Sequence, residues 1–165
     1  KVNLTFLNID DSTDPDILST AENIPSKDNI YDAALIIELL EHVENPREVL
    51  KETYRVIKKD GIALVTMPFM YPVHADPNDF QRWTKSKMEN EIILAGFKIE
   101  KIEPMGGTIS VFFDSLRFQL ANKKNINNLH IRLANYLIRF FSKLVVRYED
   151  DNFFVTTGWV AIVSK

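Results

Sequence analysis

Two apolar runs separated by one helix length constrain this chain more than any other feature. Residues 33–37 (AALII) are continuously apolar and residues 62–67 (IALVTM) nearly so, and a run of that kind suits a parallel strand covered on both faces. Between them Pro46 can open a helix at its first turn, Val49, Leu50, Tyr54 and Ile57 recur at helical spacing, and Asp60-Gly61 marks a stop. The spacing predicts a helix over 47–58 between a central strand and its neighbour. A strand–helix–strand unit of this length closes as a right-handed crossover into a parallel sheet.

The remainder extends the alternation. Residues 4–9 read as a short buried strand closed by Asp10, Asp11, Ser12 and Asp14, and residues 17–20 as a second strand. Residues 69–84 hold Pro72 and Pro77 and read as a long loop. Thr84 is a suitable N-cap for a helix over 85–95 ended by Gly96, and 97–103 reads as a strand. Helices over 109–121 and 129–146 and a closing strand over 153–163 complete the pattern. At 165 residues the chain suits one α/β domain with helices on both faces of its sheet. In open sheets of this type ligands sit beyond the carboxyl ends of the strands, which nominates Asp10, Thr20, Glu38 and the loop after Met67.

With no cysteine there is no disulfide, thiolate metal site or thiol nucleophile, and a cytoplasmic setting is the simplest expectation. No secretory signal opens the sequence, and no run of about 18 apolar residues is present to span a bilayer. Net charge is −3, unevenly spread. Residues 115–147 hold seven of the 20 Lys and Arg and no acid, so 13 basic residues face 23 acidic ones elsewhere. That asymmetry suggests a local role for the basic segment toward an anionic surface or substrate, and no nucleic-acid partner is expected.

Asp10 at a strand end could accept both hydroxyls of a ribose, or simply serve as a turn residue. The stretch from Ile36 to Pro68 is more specific: LLEH, then Asn45-Pro46, then ETYRVIKKDG, then IALVTMP. This order resembles the class I S-adenosylmethionine-dependent methyltransferases, with their LEH turn, proline-started helix, RVLKPGG-like ending and apolar strand. The upstream AENIPSKDNIYDAALI is similar to the same family, with Thr20 where an acid is usual and Ser26 where an aromatic is. TTGWVAIVSK looks like the family's final strand. The resemblance implies a Rossmann-like sheet, mostly parallel with an antiparallel last strand, and S-adenosylmethionine as cofactor. It also implies that Asp10 holds the ribose, Ala21 and Glu22 the adenine edge, and Glu38 and His42 the methionine region.

The family's glycine-rich loop has no counterpart here, since all five glycines come at position 61 or later. The expectation is therefore a single domain over 1–165 that lacks the first strand, with a helical basic insertion at about 108–147. Either that strand lies upstream, or the chain is a remnant or a non-catalytic binding module.

The loop sequence HADPNDFQRWT looks like an H-x-x-P-x-D-[YF]-x-R-[FWY]-T signature from one branch of these enzymes, which places it over the acceptor pocket. His74 is then the expected general base, Arg82 the holder of an anionic acceptor group, and Phe80 or Trp83 a packing surface. The alternative is that Asp76, Asp79 and Arg82 tie the loop down while His74 is solvated. His74, Asp76 and Asp79 make a poor transition-metal set, and no metal is expected. In residues 129–146, Leu129, Leu133, Tyr136, Leu137, Phe140, Phe141 and Leu144 share one helical face. The usual meaning is packing on the helix's own domain, which is expected; a weak membrane-surface contact would suit a lipid-linked acceptor. The function these readings imply is methyl transfer to a small or lipid-linked acceptor.

Overall fold

The computed structural model describes residues 2–74, 78–121, 129–145 and 155–165. In chain order these form β1 (Leu7–Asn8), β2 (Ile17–Leu18), β3 (Tyr31–Ile36), α1 (Pro46–Val56), β4 (Ile57–Pro68), α2 (Lys85–Leu94), β5 (Lys98–Pro104), α3 (Thr108–Ala121), α4 (Leu129–Val145) and β6 (Gly158–Ser164). The four longer strands make one sheet in the order β3-β4-β6-β5, and β1 pairs with β2 in a separate two-stranded ribbon. β3 runs parallel to β4, and β6 runs antiparallel to both β4 and β5. The expected mostly parallel sheet with one reversed last strand is present.

Helices α1 and α2 bury Val49, Leu50, Met88 and Ile92 against Ile36, Ala63, Val65, Met67, Ala161 and Val163, the residues on one face of the sheet. Trp83 joins this core at 2% exposure, so it is a structural anchor and not the acceptor-packing surface expected of it. Its Nε1 donates to Gln81 Oε1 at 2.9 Å, and Gln81 Nε2 donates to the carbonyls of Leu40 and Val43. An amide spanning these groups pins the end of the long loop to the turn after β3.

Three expectations need correction. The helix ends at Val56, because Ile57 turns extended and begins a strand of 12 residues; Asp60, at φ +64°, lies inside β4 and does not end α1. Residues 33–37 are not a central strand covered on both faces. Within the described residues β3 is the sheet edge, and Leu35 (68% exposed), Ile62 and Ile162 stand on a face no helix covers. Residues 4–9 are likewise not a buried strand: Leu4 (80% exposed), Phe6 and Ile9 are open, because β1 pairs only with β2. Among the described residues, helices therefore cover one face of the sheet rather than two.

The two helices of the basic segment pack on each other. The face of α4 carrying Leu133, Tyr136, Leu137, Phe140, Phe141 and Leu144 is exposed, contrary to the expected packing on the domain, because among the described residues α3 is the only element close along α4. Lys123, Lys124, Arg147 and Asp76 lie outside the described residues.

Candidate functional site

The chain leaves β3 through a strained turn. Glu38 adopts φ +46°, a left-handed conformation that a residue with a Cβ enters at a cost. Two hydrogen bonds hold it there: its backbone N–H donates to Thr66 Oγ1 at 2.8 Å, and the same hydroxyl donates to Glu38 Oε1 at 2.8 Å. Thr66 sits near the carboxyl end of β4, so the pair ties the ends of two adjacent strands together. A 3-10 turn, Leu40–His42, follows directly. Leu40 and Glu41 are fully buried within it, while His42 is half-buried at the surface.

The loop between β4 and α2 folds back onto this turn. Phe80 donates its N–H to the Glu41 carbonyl at 2.8 Å, and His42 Nδ1 lies 2.5 Å from the Asn78 carbonyl. His74 is placed with its backbone N–H on Asp79 Oδ2 at 2.8 Å and its Nε2 4.0 Å from Glu41 Oε1. Asp79 is held down to about pH 2 in its ionisation, chiefly by hydrogen bonds from the Arg82 guanidinium. Both terminal nitrogens of Arg82 are employed within the loop, on the two Asp79 oxygens and on the carbonyls of Gln81 and Pro72. The Asp79–Arg82 pair therefore ties the loop down, which leaves Arg82 few donors for a ligand.

Burial pushes the Glu41 carboxyl above the usual range, and neither of its oxygens has a hydrogen-bond partner among the described residues. Sequence reasoning passed over Glu41 because a glutamate in an amphipathic turn reads as solvent-facing. The only available signal was its place between Leu40 and His42 directly after an apolar strand.

The residues expected on the cofactor side divide into two groups. Glu22 Oε1 accepts from the Asn45 backbone N–H at 3.3 Å, which brings it to the start of α1 beside the turn holding His42. Ala21 packs partly buried against the core. The loop that carries both is clamped by α1: Arg55 donates to the carbonyls of Ile24 and Ser26 and to Asp28, and Glu52 Oε2 accepts from the Ile24 N–H at 2.9 Å. The E-x-x-R spacing of Glu52 and Arg55 was visible in the sequence as an i,i+3 pair, but its reach across to residues 24–28 was not. Asp10 stands apart and exposed. It caps its own 3-10 turn by accepting from the Ser12 N–H at 2.9 Å, its ionisation is lowered by the Ser12 side chain first and then by that N–H, and no described contact joins it to Glu22, Glu38 or His42.

The described sheet, with one strand reversed and its edge strand ending in a strained turn, has the α/β fold of solved S-adenosylmethionine-dependent methyltransferases. Comparison with known proteins agrees. Residues 7–65 match the family model described as a methyltransferase domain. A solved S-adenosylmethionine-dependent methyltransferase from Archaeoglobus fulgidus superposes with TM-score 0.56 at 16% identity, covering 96% of this chain and 74% of that one. The [4+2]-cyclase SpnF superposes with TM-score 0.55 at 20% identity, covering 89% of this chain and 54% of that one. Phosphoethanolamine N-methyltransferase 2 of Haemonchus contortus, solved with S-adenosylmethionine, gives TM-score 0.51 at 15% identity over 88% of this chain and 35% of its own. An uncharacterized protein of Methanocaldococcus jannaschii is 37% identical over 49 residues, 30% of this chain and 24% of that protein. The chain thus spans about a quarter of that curated relative and about half of the cyclase.

Proposed function

We propose that this chain forms most of an S-adenosylmethionine-dependent methyltransferase domain that acts on a small or lipid-linked acceptor. The observation that carries the reading is that Glu38, tied to Thr66, and His42, on the Asn78 carbonyl, stand just past the carboxyl ends of β3 and β4, with Glu22 at the start of α1, where sheets of this type bind ligands. Asp10 takes the ribose hydroxyls, Ala21 and Glu22 the adenine edge, and Glu38 and His42 the methionine region. The cofactor supplies an electrophilic methyl group on a sulfonium. This chain's share of the work is to hold that group and the acceptor in line, so catalysis comes chiefly from proximity and orientation. His74 accepts the acceptor's proton where the acceptor is a hydroxyl.

The fit to the cofactor is partial, because no glycine-rich loop is present to bring backbone amides to its methionine end. Among the described residues the unpaired edge of β3, the separate β1–β2 ribbon and the open apolar face with Leu35 and Ile62 leave room for a further strand between β1 and β3. Two features support an anionic acceptor reached from a membrane surface. A cavity of about 510 Å³ between α3 and α4 is lined by Tyr71, Asp114, Arg117, Arg132 and Arg139, three cations against one acid that pairs with Arg117. Exposed Phe140 and Phe141 lie beside it on α4. Among the described residues no helix is long and apolar enough to cross a bilayer, so any membrane contact of these helices would be peripheral. The absence of cysteine supports a cytoplasmic setting.

The alternative is a non-catalytic, methyltransferase-like binding module or a truncated remnant, and it rests on the lack of a glycine-rich loop in this sequence. Calorimetry with S-adenosylhomocysteine on this chain, and on the chain joined to a strand-and-glycine-loop segment, tests the reading. Binding only by the joined form supports it, micromolar binding by the chain alone refutes the need for the loop, and failure of both refutes the cofactor assignment.

A further inference from the structure

Glu41 is the least explained group in the molecule. It is 0% exposed, and neither oxygen finds a hydrogen-bond donor among the described residues, an arrangement that costs stability and that packing alone does not require. Two imidazoles face it. His42 Nε2 stands 3.6 Å and His74 Nε2 4.0 Å from Glu41 Oε1, and the two rings meet edge to face with centroids 5.1 Å apart. Both separations are too long for hydrogen bonds. The far nitrogen of each ring is already engaged: His42 Nδ1 with the Asn78 carbonyl at 2.5 Å, and His74 Nδ1 with the Pro72 carbonyl at 3.1 Å. A carbonyl only accepts, so the network assigns the proton to Nδ1 in both rings and turns both Nε2 lone pairs toward Glu41. Arg82 Nη2 also lies 3.4 Å from His74 Nδ1, but that guanidinium nitrogen donates to Asp79 Oδ2 and the Pro72 carbonyl, so the shorter Pro72 contact carries the assignment at His74.

Two histidines that each donate the outer N–H to a backbone carbonyl and present the inner nitrogen to a buried carboxylate have the outer-shell pattern of metal ligands. We propose that Glu41, His42 and His74 together bind one divalent first-row transition ion of the zinc class. One donor atom from each lies within 4.8 Å of the other two. Donors around an ion at about 2.1 Å stand roughly 3–3.5 Å apart, so closure asks for shifts of the order of an ångström. Two imidazoles and one carboxylate select borderline ions over magnesium or calcium. The surrounding charge also suits a cation, since Glu38, Glu41 and Asp79 outnumber Arg82. Three protein ligands leave a four-coordinate ion one open position, and Tyr71 packs edge to face on His74 at 5.2 Å. An ion here takes the lone pair that general-base chemistry at His74 needs, so metal binding replaces the proposed general-base role of His74 and leaves the rest of the proposed function standing.

The test is metal binding itself, independent of methyl transfer. Protein stripped with a chelator is titrated with Co²⁺, followed by its visible d–d bands, and then with Zn²⁺ in competition. The expected result is one Co²⁺ per chain, displaced by Zn²⁺ and not by millimolar Mg²⁺. Glu41→Gln, His42→Gln and His74→Ala should each weaken Co²⁺ binding by about 100-fold or more, beyond the ~10–100-fold typical of outer-shell changes. His130→Ala, at the chain's third histidine, should leave it unchanged. If Glu41→Gln fails to fold, His74→Ala carries the test from the half-buried loop. No stoichiometric binding, equal affinity in the three ligand variants, loss on His130→Ala, or displacement by Mg²⁺ overturns the proposal.

Discussion

Replacing Glu41 by leucine should make the metal-free protein more stable, an unusual expectation for a buried position. A carboxyl removed from water without a partner costs about 1–3 kcal/mol by the measure of protein substitutions, and Glu41 has both oxygens in that condition. Leucine at the same fully buried place removes that penalty and adds apolar contact with the core around Leu40. At roughly 2–4 °C per kcal/mol for a domain of this size, the melting temperature should rise by roughly 3–10 °C. The pH dependence has a definite sign. Burial raises the folded-state ionisation of Glu41, so the charge-dependent part of the penalty is absent where the unfolded carboxyl is protonated and grows as pH climbs above that range. The gain in Glu41→Leu should therefore be small near pH 4 and largest near pH 7. Thermal unfolding by circular dichroism in the presence of a chelator measures it. A melting temperature that falls, or a gain that is flat with pH, would show that Glu41 has a structural partner and would refute the reasoning.

Other outcomes follow from the same structure. Glu91, 2% exposed, receives Arg47 at 2.7 and 2.9 Å together with Lys87, which hold its ionisation down to about 2. Discounted for its half-exposed partners, this is worth about 1–3 kcal/mol, present above the unfolded carboxyl range and lost as pH falls toward 2, so urea unfolding should find Glu91→Gln weaker at pH 7 and the gap more than halved by pH 3. Gly158→Ala should destabilise by about 2 kcal/mol or more in the same assay, because a Cβ there would sit 2.6 Å from the Met67 carbonyl oxygen and 3.1 Å from Pro68 Cα. Arg55→Met should release residues 24–28, read as faster amide hydrogen exchange at Ile24 and Asn29, with exchange in β4 and β6 unchanged.

Local chemistry was enough for much of the fold. Pro46 opens α1, Thr84 caps α2 by accepting from the Lys87 N–H, and the run at 62–67 lies within β4, because caps, prolines and apolar runs act over a few residues. Extent and surroundings were less legible. The sequence 33–37 reads as a central strand since its composition records what a strand can bury against, and composition cannot say which neighbours are in place. Leu35 and Ile62 stand open for that reason.

The site divides along the same line. By itself the sequence determined the element order, the loop after β4 as a place for chemistry, and Glu38, His42 and His74 as its candidates. Only the tertiary structure decided that Arg82 is spent on Asp79 and two loop carbonyls, that Trp83 belongs to the core, and that Glu41 faces two imidazoles. Glu41 and His74 are 33 positions apart, and their meeting depends on a loop closing over a turn. A signal read within a few residues carries no record of that closure, which the Gln81 and Phe80 contacts to the turn after β3 enforce.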